Sequence, residues 1–385
     1  MSTLQSTHST HTNSQKLFYA LLQLGIGTRN DLPLKQPVSA DAWKEIVSMA
    51  RKQAVSGILM DGILKLPPEF MPPTPIKLKE IQYLLRMEQL NLRLNQGAVQ
   101  VSEYLKRDGF ACTILKVQGI ARYYPNPLHR TPGDIDVWPD GTPQEIRKYG
   151  MHKFPEEEFR SHHVDFPILK EIEVELHFQP AEMSNPITNR RFLDFCETHR
   201  KSCASNMVLL EETNQQIAVA TDAFNRIYIL QHIMRHLFEE GIGLRQLMDY
   251  CLVLRKGMTQ EEKNLTIQEL DRLNMKGFAQ AVMYILQTVF ALEEPFLILP
   301  PDDIKGKLLL EEILEGGNFG HHDQRFDKNK MKNMGYKFLK RIQKNIRLIK
   351  LAPSEALATI GYLPYVFFYR RFYKLYWKFQ QQKKQ

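Results

Sequence analysis

The sequence predicts an α+β fold, in which a small β-sheet is embedded among helices from both sides of the chain. Apolar residues recur at helical spacing before residue 107 and again after residue 186. Between these parts, polar and apolar residues alternate in residues 133–138 and 173–178, as they do in half-buried strands. With 385 residues, the chain is long enough to bury a sizeable core.

The first 109 residues are predicted to be helical after a short polar start. Residues 1–14 are rich in Ser, Thr and His and lack an apolar core, so we expect them to be disordered and not to act as a signal peptide. Residues 15–109 form a helical region that packs around the sheet. Its helices are expected at Lys16–Leu24, at Ala40–Gln53 with Ser39 as the N-cap, and at Ile76–Lys106.

Residues 110–182 are predicted to hold the sheet. Gly109 ends the long helix before it and delivers the chain into the first strand. The elements expected in this part are a strand at Phe110–Leu115, a helical turn at Ile120–Tyr124, a strand over residues 133–138, a helix at Thr142–Tyr149, and a hairpin of Glu158–Phe166 with Lys170–Phe178.

Two aspartates lie on the second predicted strand. Because alternate side chains of a strand share a face, Asp134 and Asp136 point the same way, while Ile135 and Val137 point into the core. Neighbouring carboxylates repel each other, and Asp is disfavoured in strands. The two side chains could face water at a strand end, but a bound divalent cation would offset both costs.

A second alternating run supplies further acidic side chains. Glu173, Glu175 and His177 share one face of the last predicted strand. If this strand lies beside the strand with the two aspartates, one of the glutamates completes a cluster of three carboxylates. Such a cluster suits two Mg²⁺ ions about 3.5–4 Å apart, which support in-line displacement at phosphorus.

A more specific pattern runs from Thr113 to Pro180. The order LKxxGIAxxYPxPxxRxxGDID, followed by ELHF, resembles a family of uncharacterised bacterial nucleotidyltransferases of the DNA polymerase β superfamily. Similar residues continue at Gly241–Gln246 with Asp249 and at Gly316–Gly320, so the resemblance covers most of the chain. It implies a polymerase β-like nucleotidyltransferase core with a small mixed sheet, embedded in N- and C-terminal helical regions.

The resemblance also implies a reaction. A nucleoside monophosphate is expected to pass from an NTP to an acceptor hydroxyl or phosphate, with release of pyrophosphate. Asp134 and Asp136 would hold two Mg²⁺ ions. Glu175, which matches the acid-Leu-His pattern of the family, would be the third metal ligand and catalytic carboxylate.

Phosphate binding is expected around the first strand. Gly119 would let backbone amides approach the phosphates, and Lys116 or Arg130 would neutralise their charge. The chain departs from the superfamily at Ile120, where serine is usual, and from the family at Val117, where glycine is usual. These departures favour an alternative function, a catalytically inactive nucleotide-binding or scaffolding protein that retains the fold.

A histidine pair lies on the predicted hairpin. His162 and His163, with Asp165, could ligate a metal. Adjacent residues of a strand point to opposite faces, so we expect at most one of the two histidines to face the site.

Residues 183–327 are predicted to form a helical domain. His232 and His236 stand four residues apart on one helix, as do Arg245 and Asp249 on the next. These residues could be packed histidines and an intrahelical salt bridge. Alternatively, the helices cross the cleft so that Arg245 or His236 reaches the triphosphate or the acceptor. The loop at Gly316–Arg325 is expected to be ordered and lacks the residues of a phosphate loop.

The tail, residues 328–385, differs in charge from the rest of the chain. It has 15 Lys or Arg against one acidic residue, a net charge of +14, whereas the preceding residues carry −6. Its last part interleaves aromatic and basic residues. This pattern fits a helix docked on the acidic body, an amphipathic helix on an anionic membrane surface, or a segment that binds single-stranded RNA. We favour the docked helix.

Composition places the chain among globular proteins. The uncharged stretch of 14 residues that begins at Ala356 is too short for the roughly 20 apolar residues of a membrane span. The four cysteines show no C-x-x-C pair, which predicts buried reduced thiols in a cytoplasmic protein and no zinc site.

Overall fold

The structure, a computed structural model, describes residues 2–210, 213–323, 325 and 333–362. The strands are β1 (Cys112–Leu115), β2 (Ile135–Pro139), β3 (His163–Asp165), β4 (Val174–His177), β5 (Met207–Leu210) and β6 (Gln215–Ala218). The helices before β3 are α1 (Ser2–Ile26), α2 (Ala40–Lys52), α3 (Ser56–Ile63), α4 (Thr74–Arg107), α5 (Val117–Ala121) and α6 (Pro143–Lys153). The later helices are α7 (Pro186–Ala204), α8 (Asp222–Glu239), α9 (Leu244–Arg255), α10 (Gln260–Arg272), α11 (Lys276–Phe290), α12 (Asp303–Gly316) and α13 (Met334–Arg347).

The first four strands form one mixed sheet in the order β1-β2-β4-β3. Strand β2 is antiparallel to β1 and parallel to β4, and β3 is antiparallel to β4. Ile135 and Val137 of β2 are fully buried, as the alternation predicts. Helix α4 covers the sheet with Leu94, Ala98 and Val101, which join the strands in one apolar cluster. A helix-rich chain with a small mixed sheet agrees with the predicted α+β class.

The hairpin of β5 and β6 differs from the sequence prediction, which makes the chain beyond Pro186 helical. The two strands pair antiparallel, and Asn214 takes a positive φ of 51° at their turn. A bridge between Ile114 and Val219 places the hairpin beside β1. The signal in the sequence was Asn214, because Asn tolerates this left-handed conformation better than most residues.

Helices α1–α3 pack away from the sheet, which corrects the expectation that the whole N-terminal region surrounds it. Phe18, Leu21 and Leu22 of α1 are fully buried in a second apolar cluster, formed with α8, α9 and α11. The amide of Gln23 donates to the carbonyl of Val289 at 3.0 Å. Apolar residues on several sides of α1 require burial among other helices, and only the helical half of the molecule offers that.

Helix α1 begins at Ser2, so the polar segment expected to be disordered is helical in the structure. The buried turns around Phe18 anchor the helix, and each residue added at its N-terminus costs little once a helix is nucleated. Helix α2 agrees with its prediction, and the hydroxyl of Ser39 accepts a hydrogen bond from the amide of Ala42 at 3.2 Å.

The described part of the tail is docked on the body. Four apolar side chains that follow α13 are buried in the helical cluster: Leu348, Leu351, Ala352 and Ala356. The amide of Asn345 donates to the carbonyl of Phe238 at 3.2 Å, and the carboxylate of Glu355 accepts from the backbone N–H groups of Ser184 and Asn185. The aromatic segment predicted to dock as well, residues 363–385, lies outside the described residues.

All four cysteines are buried free thiols, as predicted. Of the helices within the described ranges, none combines the length and the apolar character needed to span a bilayer.

Candidate active site

A buried cavity of about 160 Å³ lies between the sheet and the helical half of the molecule. The sheet and its loops contribute Lys116, Asp134, Asp136, Glu175 and His177 to its wall, together with Val117, Arg130, His162 and His163. The opposite wall comes from α8 and α9, with His232, Arg235, His236, Arg245 and Asp249. The structure therefore brings most of the predicted site residues to one place.

The parallel pairing of β2 and β4 positions the carboxylates. Asp136 and Glu175 are partners in the register of the two strands, so their side chains lie on the same face. Asp134 precedes the first residue of β2 and lines the same cavity. Repulsion from the Asp136 carboxylate, followed by burial, raises the pKa of Asp134 to about 6. Accumulated negative charge of this kind is what a divalent cation relieves.

Asp136 is fully buried between two cationic side chains. One oxygen lies 2.9 Å from the ammonium of Lys116, and the other lies 2.8 Å from Nε2 of His177. Burial opposes ionisation of Asp136, but Lys116 and His177 outweigh it and hold its pKa below the usual value. Burial likewise disfavours the charged His177, yet its hydrogen bonds to Asp136 and Glu175 raise its pKa to about 9.

Lys116 occupies a strained turn between β1 and α5. Its φ of 53° and ψ of −109° lie outside the regions that non-glycine residues favour. The ion pair with Asp136 holds the side chain towards the cavity. Strain of this kind is retained where the surrounding structure over-determines the conformation, and such places cluster at functional sites.

Gly119 has a packing role in the structure, and its contact with phosphates stays a prediction. It lies within α5, where an added Cβ would stand 3.0 Å from the Cβ of Val219 beside β6. The glycine thus lets α5 approach the chain after β6. Val117 and Ile120, the two departures from the family pattern, are buried and line the cavity.

Arg130 joins the loop before β2 to α9. Its guanidinium donates two hydrogen bonds to Asp249, at 2.8 and 2.7 Å, and the hydroxyl of Tyr124 donates to the same carboxylate at 2.7 Å. Arg130 is 4% exposed. Asp249 therefore pairs with Arg130, and the intrahelical salt bridge considered for Arg245 and Asp249 is not formed. The spacing of four residues allowed that pair, but the bidentate fork of Arg130 takes both carboxylate oxygens.

Arg245 is a buried cation that faces the cavity. Its guanidinium donates to the carbonyl oxygens of Thr131 and Pro132, at 3.4 and 3.1 Å. Among the described residues, its Nε has no hydrogen-bond partner and no carboxylate forms an ion pair with it. Burial and the nearby Arg130 lower the pKa of Arg245. An anion in the cavity would compensate this charge.

His162 and His163 both line the cavity, so the expectation that at most one would face the site is wrong. His162 precedes β3 and lies in a bend, where the alternation of a strand does not apply. Nδ1 of His163 lies 3.0 Å from Nε2 of His162, and both rings are buried. Burial, followed by the charge of His177, lowers the pKa of His163 to about 3.

A second cavity of about 470 Å³ adjoins the first and shares Gly133, Asp134, Arg245 and Phe319 with it. Its wall is partly apolar, with Leu90, Leu94 and Ile172. The loop after α12, whose role was open in the sequence, supplies Phe319.

This loop packs against the turn between α8 and α9. Gly241, at a φ of 139°, has space only for hydrogen there, since a Cβ would come within 2.7 Å of the backbone nitrogen of Gly320. The ring of Phe319 lies 5.7 Å below the guanidinium of Arg245 and 5.5 Å from the ring of His236.

The family model described as uncharacterised nucleotidyltransferase matches residues 39–291. The chain belongs to this family. In this nucleotidyltransferase the match includes the whole four-stranded sheet and helices α8 and α9, and it ends before Phe319. Comparison with curated proteins and with solved structures finds no match. Membership makes nucleotidyl transfer the activity class of the chain.

A metal would find oxygen and nitrogen ligands in the first cavity. Carboxylate oxygens of Asp136 and Glu175 lie within 4.8 Å of each other, a nitrogen of His163 lies within the same distance of Glu175, and Asp134 lines the same space. Three carboxylates form a donor set that Mg²⁺ prefers, and the raised pKa of Asp134 marks uncompensated negative charge beside them. The residues present therefore fit a divalent cation.

Proposed function

We propose that this nucleotidyltransferase moves a nucleoside monophosphate from an NTP to an acceptor, releases pyrophosphate and depends on divalent metal. The observation that carries this proposal is the shared cavity of Asp134, Asp136 and Glu175 opposite Arg245, a buried cation without an ion-pair partner among the described residues. The carboxylates, which can bind cations, thus face the guanidinium of Arg245, which can bind phosphate, across one cavity.

Asp134, Asp136 and Glu175 would hold two Mg²⁺ ions in a polymerase β-like core. When bound, the metal would stabilise negative charge on the reacting phosphate and lower the pKa of the attacking group. In the transfer, the acceptor oxygen bonds to the α-phosphorus as the bond to pyrophosphate breaks, and the acceptor's proton passes to a carboxylate of the site. Arg245 would neutralise phosphate charge from α9.

The other cationic residues would act indirectly. Lys116 holds Asp136 in place, and Arg130 holds Asp249 and so fixes α9 against the sheet. The first cavity is too small for a whole nucleotide, since ligand sites usually measure about 300–1,000 Å³. We therefore assign it to the phosphates and metal, and the adjoining cavity to the nucleoside or the acceptor.

Isothermal titration calorimetry with each NTP, with and without Mg²⁺, tests the proposal. Binding should require the metal, because bare carboxylates repel a triphosphate. Asp134→Asn should weaken Mg²⁺-dependent binding by at least about tenfold. Asp140→Asn, which removes an exposed carboxylate beyond the other end of β2, is the matched control and should bind as the wild type does. Equal binding by both variants would place the site elsewhere.

Release of pyrophosphate from labelled NTPs separates the enzyme from its alternative, an inactive nucleotide-binding or scaffolding protein. Val117 favours the alternative, because its side chain lines the cavity at a position where the family usually has glycine. Metal-dependent binding without pyrophosphate release across a panel of acceptors, restored by Val117→Gly, would identify Val117 as the cause of lost turnover.

A further inference from the structure

The hydrogen bonds behind His163 determine where its proton lies. The hydroxyl of Ser161 donates to the carboxylate of Glu182, so the oxygen of Ser161 accepts from Nδ1 of His162, 3.1 Å away. Since a neutral imidazole carries one proton, Nε2 of His162 is then an acceptor. Arg235 agrees with this, because its guanidinium can only donate and lies nearer to that Nε2, at 2.8 Å, than to Nδ1, at 3.4 Å.

The same Nε2 of His162 lies 3.0 Å from Nδ1 of His163. Because Nε2 of His162 is an acceptor, Nδ1 of His163 must be the donor and carries the proton. The other nitrogen of His163, Nε2, is consequently a bare lone pair. It is buried, has no hydrogen-bond partner among the described residues, and belongs to a residue that is 4% exposed.

This bare nitrogen faces a carboxylate oxygen. Nε2 of His163 lies 3.3 Å from Oε1 of Glu175, which is also an acceptor. Two buried lone pairs pointed at each other without a proton between them are costly. A cation between them turns both into ligands.

His177 differs from His163, although it lies beside the same glutamate. Its Nε2 is 2.8 Å from Asp136 and 3.3 Å from Oε2 of Glu175, and its Nδ1 is 3.3 Å from the carbonyl oxygen of Gln179. Both nitrogens therefore face acceptors and both donate. A ring with two N–H groups offers no lone pair, so His177 orients carboxylates while His163 is free to bind a metal.

We propose that His163 joins Glu175 as a ligand of one of the divalent cations, and that this position selects a first-row transition metal such as Mn²⁺ over Mg²⁺. Mg²⁺ prefers oxygen ligands and dehydrates reluctantly, whereas first-row transition metals as a class accept imidazole nitrogen more readily. The inference rests on the proposed function, since it assigns one of that function's metal positions. It adds a nitrogen ligand and a different ion.

Electron paramagnetic resonance of Mn²⁺ added to the full-length chain tests it directly. Bound Mn²⁺ should show hyperfine coupling to one directly coordinated nitrogen, and labelling the histidines with ¹⁵N should change that coupling. His163→Gln should abolish the nitrogen coupling and weaken Mn²⁺ binding by at least about tenfold, while Mg²⁺ affinity, from competition, stays within about twofold. His177→Gln, the matched control, should keep the coupling.

Three other results would contradict the inference, and they differ in whether the proposed function also fails. Bound Mn²⁺ without nitrogen coupling in the wild type overturns the role of His163 and leaves the proposed function standing. If the nitrogen coupling disappears in His177→Gln and persists in His163→Gln, the metal ligand is His177 and the assignment to His163 is wrong. Failure to bind either Mn²⁺ or Mg²⁺, with or without NTP, overturns the inference and the proposed function together. The labelled wild type suffices if a variant does not fold.

Discussion

Asp136 and Glu175 lie directly opposite each other on the parallel strands β2 and β4. Their carboxylates share one face of the sheet, and His177 lies within 3.3 Å of both. The arrangement places two acidic side chains and a donor in a buried space where repulsion is strong. Lys116 supplies the remaining positive charge. The stability of the site thus depends on how these charges are paired.

The pair of Lys116 and Asp136 gives the first prediction. Asp136→Asn leaves the ammonium of Lys116 buried without its carboxylate, so we expect the free energy of unfolding to fall by about 3 kcal/mol. Lys116→Met in the same chain should recover part of this loss, because the unpaired charge is removed. Urea unfolding of the two single variants and the double variant measures the coupling, expected at about 1–3 kcal/mol. Strictly additive effects would show that the two charges do not interact.

Two buried arginines give the second prediction, since only one of them has an ion-pair partner among the described residues. Arg130→Met leaves Asp249 buried and unpaired and should lower the free energy of unfolding by about 3 kcal/mol. Arg245→Met removes a buried charge without a carboxylate and should leave stability nearly unchanged. The substitution should weaken Mg²⁺-dependent NTP binding by at least about tenfold, because it removes a guanidinium that pairs with phosphate.

Thermal unfolding and calorimetry on the same two variants check both parts. An Arg245→Met protein that binds NTP as the wild type does, or that loses as much stability as Arg130→Met, would make Arg245 a structural residue.

Lys344 of α13 gives a prediction for pH. The side chain is 5% exposed, and burial, opposed by Glu312 and assisted by Arg341, lowers its pKa to about 8. The unfolded chain, with a lysine pKa near 10.4, therefore binds more protons between about pH 8 and pH 10.4. The contribution of Lys344 to stability consequently rises with pH across this window, and below pH 8 the folded state carries the full cost of the buried charge.

Lys344→Met should accordingly raise the melting temperature by a few degrees at pH 7, and this gain should shrink as the pH approaches 10. Lys350→Met, which removes an exposed lysine near the end of the same helix, is the control and should show no such dependence. Scanning calorimetry of both variants between pH 7 and pH 10 makes the comparison. A gain that grows with pH would contradict the assigned direction of the pKa shift.

The tail gives the fourth prediction. Removing residues 333–385 exposes the apolar surface that Leu348, Leu351 and Ala356 cover, and it removes the acceptor that Glu355 provides for two backbone N–H groups. The melting temperature should therefore fall by more than it does for a chain that ends at Tyr362.

The chain ending at Tyr362 also tests the aromatic segment. An unchanged melting temperature, with loss of binding to anionic vesicles or single-stranded RNA, would contradict docking of residues 363–385. Equal melting temperatures for the two truncated chains would show that residues 333–362 do not stabilise the body. Salt dependence of any binding that is lost distinguishes charge contacts from apolar ones.

Local patterns predicted much of the site. The alternation around Asp136 and around Glu175 located both strands and the face that carries the carboxylates, because side-chain direction in a strand follows from the backbone alone. The same rule misled at His162, which lies in a bend where that geometry does not hold. Alternation also does not predict the hairpin of β5 and β6, because these short strands are partly exposed and their polar and apolar residues alternate only weakly.

The sequence by itself determined the α+β class, the strands that carry Asp136 and Glu175, and the charge contrast between tail and body. These features depend on periodicity and composition, which neighbouring residues specify. Only the tertiary structure decided that Arg130 pairs with Asp249, 119 residues away, that Gly119 makes room for Val219, and that His163 faces Glu175. Such contacts depend on how distant segments pack, and several partners of the right chemistry compete for each charge until the fold places one within reach.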